Sequence, residues 1–229
     1  DGIRGTDEVR VGPVRLVGQG LAPAGQVKRA AFLSFAVAML AGLGLVLITQ
    51  KWWLLLVGLA CVAAAWLYTG GKHPYGYLGL GEIFVFVFFG LVPVVGTFYV
   101  QALTVTASSV IAACGVGFLS CAILVTNNLR DIPGDTVSGK RTLAVRLGER
   151  RTRVLYLALV IAAAVCVIVL MLTYSRTAVL ALASFALAVT PVRIVMSGAQ
   201  GRDLIPALKG TGVLVLVYGI VLGAALALI

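Results

Sequence analysis

Charged side chains are scarce in this chain. Of its 229 residues, 11% are charged and 61% are hydrophobic, whereas a soluble globular domain carries about 25% charged residues. The long apolar runs are not interrupted by charge, so they lack the alternation of apolar and polar faces that a water-soluble fold needs. A soluble domain is therefore excluded. The composition predicts an all-α fold, a polytopic bundle of transmembrane helices.

Histidine, cysteine and acidic residues are also few. There is one His, and the four Cys lie singly inside apolar runs, without the paired spacing of a disulfide framework or a zinc site. Eight Asp and Glu stand against 18 Lys and Arg. In a membrane protein such a basic excess is more typical of cytoplasmic loops and of contact with lipid headgroups or phosphates than of nucleic-acid binding. The predicted partners therefore include membrane lipids and no nucleic acid.

Seven apolar spans are predicted, each close to the roughly 20 residues that cross a bilayer. They cover residues 30–49, 52–68, 83–100, 106–126, 154–173, 178–196 and 210–229. The whole chain, 1–229, is interpreted as a single transmembrane domain that opens with a cytoplasmic loop over 1–29.

The charges are distributed unevenly between the connections. Sixteen of the 18 basic residues lie in the segments 1–29, 69–82, 127–153 and 193–209, and the alternate connections hold only Lys51 and Arg176. The positive-inside rule places the first set in the cytoplasm. All eight acidic residues lie on that same side, although carboxylates contribute little to topology. The active site is therefore expected on the cytoplasmic face.

The densest polar segment follows the fourth span, at residues 127–148 (NNLRDIPGDTVSGKRTLAVRLG). Asn127 and Asp131 are four residues apart and share one face of a helix. Pro133 and Gly134 predict that the helix ends near Asp131, with Asp135 on the loop just beyond. Two carboxylates this close suit Mg²⁺, which takes one or two carboxylates together with phosphate oxygens. The cations that suit a diphosphate are Arg130, Lys140 and Arg141.

A solvated loop of mixed charge is the alternative interpretation of this segment. The amides of Asn127 and Asn128 argue against it, because they need hydrogen-bond partners at a membrane boundary.

Two further polar clusters are weaker signals. Asp1 and Asp7 form a second acidic pair beside Arg4, and taken alone this pair is better interpreted as a plain surface loop. Tyr68 ends the second span and Lys72 follows it, at a place where a lysine also commonly extends toward lipid headgroups.

Residues 127–148 closely resemble the second Asp-rich motif of the UbiA superfamily of intramembrane prenyltransferases. The opening DGIRGTDEVRVGP resembles the end of the first Asp-rich motif, and residues 68–72 resemble the family's tyrosine–lysine element. The residues of the second motif are most similar to those of the branch that acts on 1,4-dihydroxy-2-naphthoate in menaquinone biosynthesis. The family has nine transmembrane helices, so we expect a chain that lacks the first two.

The resemblance implies a Mg²⁺-dependent transfer from a polyprenyl diphosphate to 1,4-dihydroxy-2-naphthoate, with decarboxylation, in the plasma membrane. Asp131 and Asp135 would hold one Mg²⁺, Asp1 and Asp7 would help to hold another, and Lys72 would act with the first pair in catalysis. The remaining residues implied at the diphosphate are Arg4, Tyr68, Asn127, Asn128, Arg130, Lys140 and Arg141. Another aromatic acceptor, such as 4-hydroxybenzoate, is the alternative within the superfamily.

A transporter or lipid flippase is the alternative from a different class. Such proteins place ionisable residues near the middle of the bilayer. No acidic or basic residue lies near the middle of a predicted span, and this favours the enzyme.

Overall fold

The computed structural model describes residues 16–72 and 74–228. Within these residues the chain forms seven long helices and no strand, so the predicted all-α fold is confirmed. The helices are α1 (Ala24–Thr49), α2 (Leu54–Leu67), α3 (Gly81–Ala102), α4 (Ala107–Val137), α5 (Leu143–Thr173), α6 (Arg176–Met196) and α7 (Gly201–Ala227). One helix stands at each of the seven predicted spans.

Six of these helices are long and apolar enough to cross a membrane, and the chain is a multi-pass membrane protein. The exception is α2, whose 14 residues extend over only about 21 Å at 1.5 Å per residue. The hydrocarbon core is about 30 Å thick. The seven-span topology therefore stays a prediction.

The centre of the bundle is α4, which packs along α5 and also contacts α3 and α7. Its completely buried Leu119 joins Tyr156 of α5 and Leu214 of α7 in one apolar core. The hydroxyl of Tyr156 lies 2.8 Å from that of Thr211, so this buried polar group is satisfied, as a membrane interior requires. The α4–α7 unit is thus the well-packed part of the molecule.

The crossing of α3 over α4 depends on two glycines. A Cβ added at Gly90 would collide with the backbone of Gly117, so the two helices touch backbone to backbone. Gly90 lies in a widened π turn, Val87–Leu91. This turn ends two residues before Pro93, which cannot donate to the helical ladder. This irregular turn changes the direction in which the following residues of α3 project.

Helices α1 and α2 are packed much more loosely. Val46 is the only buried residue of α1, and Ala64 is the only buried residue of α2. Most of their apolar side chains lie on the surface of the bundle, where lipid can cover them.

Two helix ends in the last third of the chain are joined by one arginine. Helix α5 is interrupted at Gly148, whose φ of 72° is left-handed, and Arg153 follows in the next turn. Its guanidinium donates to the carbonyls of Val195 and Ala199 and to Glu149. The start of α5 is thereby attached to the connection between α6 and α7.

Candidate active site

The polar end of α4 carries the candidate site. Asn127, Asp131 and Asp135 recur every four residues on this helix, so they lie on one face over two successive turns. Asp131 is 6% exposed and Asp135 is 7% exposed. Two carboxylates are therefore brought into the protein at the same end of the bundle.

The prediction that the helix ends near Asp131 is wrong. Helix α4 continues through Pro133 to Val137, which places Asp135 on the helix and not on a loop. A proline removes only its own N–H bond, and the helix tolerates that loss near its end. The turn that ends the helix comes later, at Gly139, whose φ is +73°.

The end of α4 is a Schellman motif. The N–H of Lys140 donates to the carbonyl of Asp135 at 2.8 Å, and the N–H of Gly139 donates to Thr136 at 3.2 Å. This 6→1 and 5→2 pairing is the usual way to close a helix on a left-handed glycine. It also returns the chain so that the Lys140 side chain faces the last turn of α4.

Arg130 holds Asp131 with both arms of its guanidinium. Its Nε donates to Oδ1 of Asp131 at 2.7 Å and its Nη2 to Oδ2 at 2.9 Å. The same Nη2 donates to the side-chain oxygen of Asn127 at 2.8 Å. Arg130 is only 4% exposed, and a buried ion pair with this fork geometry is both strong and rigid. The carboxylate of Asp131 is therefore fixed in position.

Lys140 forms the second, looser pair. Its Nζ lies 3.8 Å from Oδ1 of Asp135 and 5.4 Å from the ring centre of Tyr77. The N–H of Arg141 donates to the carbonyl of Tyr77 at 3.1 Å, which attaches the loop after α4 to the 3₁₀ turn Tyr75–Tyr77. The side chain of Arg141 is exposed. Lys140 is thus placed at the site by two loops that dock on each other.

Asn128 points to a different partner from Asn127. Its amide nitrogen donates to Oε1 of Glu82 at 3.1 Å, and Glu82 stands in the first turn of α3. Sequence reasoning missed Glu82 as a site residue. Its position at the start of a span, as the only carboxylate of its segment, was the available signal.

An apolar cavity of about 700 Å³ opens beneath the polar residues, between α2, α3 and α4. Asn127 stands at its polar end. One wall is a continuous row of aromatic rings. Tyr75 stacks on Phe84 with centroids 3.7 Å apart, and their outer neighbours are Tyr68 at 5.5 Å from Tyr75 and Phe88 at 5.9 Å from Phe84.

The hydroxyl of Tyr75 fixes this row to α2. It donates to the carbonyl of Ala64 at 2.8 Å, and burial raises the pKa of the Tyr75 hydroxyl. The group therefore stays protonated at neutral pH and continues to donate. Ring faces of this kind attract a cation placed over them.

The other predicted residues are placed as follows. Tyr68 lines the cavity, whereas Lys72 is exposed in the loop after α2 and forms no ion pair with another described residue. Asp1, Arg4 and Asp7 lie outside the described residues. The first acidic pair therefore stays a prediction.

The donor set at the end of α4 fits Mg²⁺. Among the described residues, no three His, Cys, Asp or Glu are gathered into a metal site, and Mg²⁺ does not need them, because it takes one or two carboxylates with water and phosphate oxygens. An ionised carboxylate offers about four lone-pair sites. Asp131 can therefore keep Arg130 and still ligate a cation shared with Asp135.

The chain is similar in sequence to proteins of one family. Residues 19–204 match the model of the UbiA prenyltransferase family. The chain is 52% identical over 227 residues to the 1,4-dihydroxy-2-naphthoate octaprenyltransferase of Mycobacterium tuberculosis, covering 99% of the chain and 77% of that protein. It is 40% identical over 173 residues to the protein of the same name from Escherichia coli, covering 72% of the chain and 56% of that protein.

Proposed function

Since the chain belongs to the UbiA prenyltransferase family, we propose that it transfers a polyprenyl group from a polyprenyl diphosphate to 1,4-dihydroxy-2-naphthoate. The carboxyl group of the acceptor leaves as carbon dioxide, and the product is a demethylmenaquinone in its reduced form. The observation that carries this proposal is the paired carboxylates of Asp131 and Asp135, with their two cations, directly above an aromatic cavity. Relatives with that acceptor in their names support the choice of acceptor.

The polar end of α4 binds the diphosphate. Asp131 and Asp135 would hold Mg²⁺ there, and the bound ion would supply a Lewis acid for the negative charge on the leaving diphosphate. Lys140 and Arg130 contribute positive charge beside it, and Arg141 and Lys72 reach it from the loops. Such fixed charges, aimed at the place where charge develops, are the largest contribution to many enzymatic rates.

The cavity binds the allylic end of the donor and the acceptor ring. When the carbon–oxygen bond of the donor breaks, the electron pair leaves with the diphosphate and an allylic cation forms. The aromatic side chains that line the cavity stabilise that cation, while the apolar lining excludes water that would otherwise capture it. The electron-rich ring of the acceptor then supplies the pair for the new carbon–carbon bond.

We place this site on the cytoplasmic face of the plasma membrane. Sixteen of the 18 basic residues lie in alternate connections that include the end of α4, which supports that orientation. In a background without the four native cysteines, Arg150→Cys should react with a membrane-impermeant maleimide only from the cytoplasmic side. Tyr174→Cys should react only from outside. Reaction of both from one side would refute the topology.

A competition assay tests the reaction itself. The protein in detergent, with Mg²⁺ and octaprenyl diphosphate, is given equal amounts of 1,4-dihydroxy-2-naphthoate and 4-hydroxybenzoate. We expect prenylated naphthohydroquinone, with carbon dioxide and diphosphate released in equal amounts. Exclusive prenylation of 4-hydroxybenzoate would overturn the acceptor and keep the reaction class, and the absence of any diphosphate release would overturn both.

A further inference from the structure

Glu82 is a carboxylate to which the proposed reaction gives no role. It stands in the first turn of α3. Its Oε1 accepts a hydrogen bond from the amide of Asn128 at 3.1 Å, whereas its Oε2 is buried and has no hydrogen-bond partner among residues 16–72 and 74–228. No cation of the described residues pairs with it. A buried acceptor atom without a partner is costly, so Oε2 is suited to a ligand that donates a hydrogen bond.

The bond between Glu82 and Asn128 lies at the polar end of the site cavity. Asn127, the neighbour of Asn128, stands at that end. Leu124 lines the cavity and lies one turn before Asn128 on the same face of α4. Val85 also lines the cavity and lies one turn after Glu82 on α3. Each partner of the bond is therefore about one helical turn beyond a residue of the cavity wall.

The packing of α3 on α4 is tight at this level. A Cβ added at Gly81 would lie 3.2 Å from the side chain of Leu124. The thiol of Cys121 donates to the backbone carbonyl of Glu82 at 3.1 Å. The carboxylate of Glu82 is therefore held both through its backbone and through Oε1, as a group that takes part in catalysis must be.

The level of Glu82 along the bundle matches that of the reaction. Asn128 precedes Asp131 by three residues, which is about 4.5 Å along the helix axis at 1.5 Å per residue. The bond to Glu82 thus lies about one turn from the proposed Mg²⁺ ligands, on the side of the cavity. The acceptor ring must lie close to this level, because it attacks the carbon whose bond to the diphosphate breaks.

We propose that Glu82 is a catalytic residue that contacts the acceptor. Its Oε2 accepts a hydrogen bond from the hydroxyl beside the carboxyl-bearing carbon, and it takes that proton as the new carbon–carbon bond forms. This inference rests on the proposed prenyl transfer and adds the group that makes the acceptor ring more nucleophilic. A positioned carboxylate within hydrogen-bond reach of the proton that it removes meets the requirement for a general base.

The proton is returned at the end of the reaction. As it moves to Oε2 of Glu82, the O–H electron pair forms a carbonyl, and the carboxyl-bearing carbon gives its pair to the allylic cation. The result is a β-keto carboxylate. Its carboxylate leaves as carbon dioxide, and the electron pair of the broken bond moves through the ring to the carbonyl oxygen. That oxygen takes the proton back from Glu82, which ends ionised, as it began.

Two substitutions separate this role from a structural one. Glu82→Gln keeps the size of the side chain and the bond to Asn128 but cannot take the proton, whereas Glu82→Asp is shorter and can. We expect Glu82→Gln to lower kcat by about 100-fold or more, and Glu82→Asp to keep about tenfold more activity than Glu82→Gln. A structural residue would show the reverse order, because glutamine is the closer match in shape.

Ionisation of the donor should survive the loss of the base. It is measured as the exchange of a heavy oxygen isotope from the bridging to a non-bridging position of octaprenyl diphosphate, without the acceptor. In Glu82→Gln this exchange and KM for octaprenyl diphosphate should stay within about threefold of wild type, since only the attack by the acceptor is impaired.

Glu149→Gln is the matched control. Glu149 also accepts from an amide, that of Gln200 at 2.9 Å, but it does not line the cavity. Its kcat should stay within about twofold of wild type, as for most exposed positions.

A near-normal kcat in Glu82→Gln, or more activity in Glu82→Gln than in Glu82→Asp, would overturn the proposal. Equal losses of isotope exchange and of product would do the same, because they would assign Glu82 to the diphosphate. A wild-type protein without transferase activity would instead refute the proposed function. If the variants do not fold, wild type is photolabelled with an acceptor that carries an azide in place of that hydroxyl. Labels on residues 81–85 or 124–128 support the proposal, and labels confined to other residues refute it.

Discussion

Helices α4–α7 and helices α1–α2 differ sharply in how they are held. The former share a core with completely buried Leu119, Tyr156 and Leu214, whereas α1 and α2 bury one residue each. The carboxylates stand on the tightly packed unit, whereas α2 forms one wall of the apolar cavity beneath them. Groups that must be positioned to a fraction of an ångström are thus attached to rigid elements.

The sharpest test of this division removes the carboxylates. Asp131→Asn and Asp135→Asn should each lower kcat by roughly 100-fold or more, because groups that stabilise transition-state charge contribute about that much. Turnover at saturating Mg²⁺ is the measurement. A near-normal rate in either variant would refute its metal role.

The two variants should differ in stability. Asp131 is held by two short bonds to Arg130, whereas Asp135 faces Lys140 at 3.8 Å. Weakening a buried pair that is well formed costs more than weakening a loose one. We therefore expect a lower Tm in detergent for Asp131→Asn than for Asp135→Asn, and the reverse order would contradict the geometry described for the end of α4.

Packing itself provides the second test. Leu119→Ala, in the core of α4, should lower the free energy of unfolding by about 2–4 kcal/mol, the usual cost of a cavity in a core. The matched variant Leu40→Ala changes a side chain of α1 that is 69% exposed, and it should cost less than about 0.5 kcal/mol. Comparable losses in steric-trap or thermal unfolding would mean that α1 is packed as firmly as α4.

Lys72 tests a smaller contribution from the loops. Lys72→Ala should raise KM for the prenyl diphosphate about tenfold, in the range of one charged hydrogen bond, and leave KM for the aromatic acceptor nearly unchanged. Lys72→Arg should restore part of the loss, because a planar fork presents its donors differently from an ammonium group. If Lys72→Ala has wild-type kinetics, the side chain only contacts lipid headgroups.

The smallest expected effect is that of Tyr75→Phe. This variant keeps the stacked ring and removes only the bond to Ala64, so it should cost about 0.5–1.5 kcal/mol of stability and little activity. Because the pKa of Tyr75 is raised, its contribution is complete below the unfolded tyrosine pKa of about 10 and is lost as pH rises through the folded value. The difference in the free energy of unfolding between the two proteins should therefore be complete at pH 7 and should shrink as the pH is raised above about 10.

The positions of the seven helices could be predicted because long apolar runs determine them almost alone. The end of α4 could not be predicted, since Pro133 and Gly134 look like a stop signal in the sequence. The helix continues past them because, near its end, it tolerates the loss of the one N–H bond that a proline cannot make. The Arg130–Asp131 fork is also invisible to spacing rules, because adjacent residues do not face each other along a helix.

The cavity and the Glu82 contact were beyond sequence reasoning for another reason. Glu82 and Asn128 are 46 residues apart, and the aromatic row joins a loop turn to a helix. Such relations depend on how α3 crosses α4 at Gly90 and Gly117, which periodicity does not specify. The residue types that carry the chemistry could be identified in the sequence. Their contact partners could not, because these contacts depend on how the helices pack.

The Schellman end of α4 has an electrostatic consequence. Nucleotide-binding loops present the positive N-terminus of a helix dipole to phosphate, whereas Asp131 and Asp135 stand where α4 presents its negative C-terminus. Peptide dipoles and carboxylates together repel a bare diphosphate here and attract cations. With the proposed function, we therefore expect this end of the helix to prefer metal-complexed donors, and free pyrophosphate should compete poorly unless Mg²⁺ accompanies it.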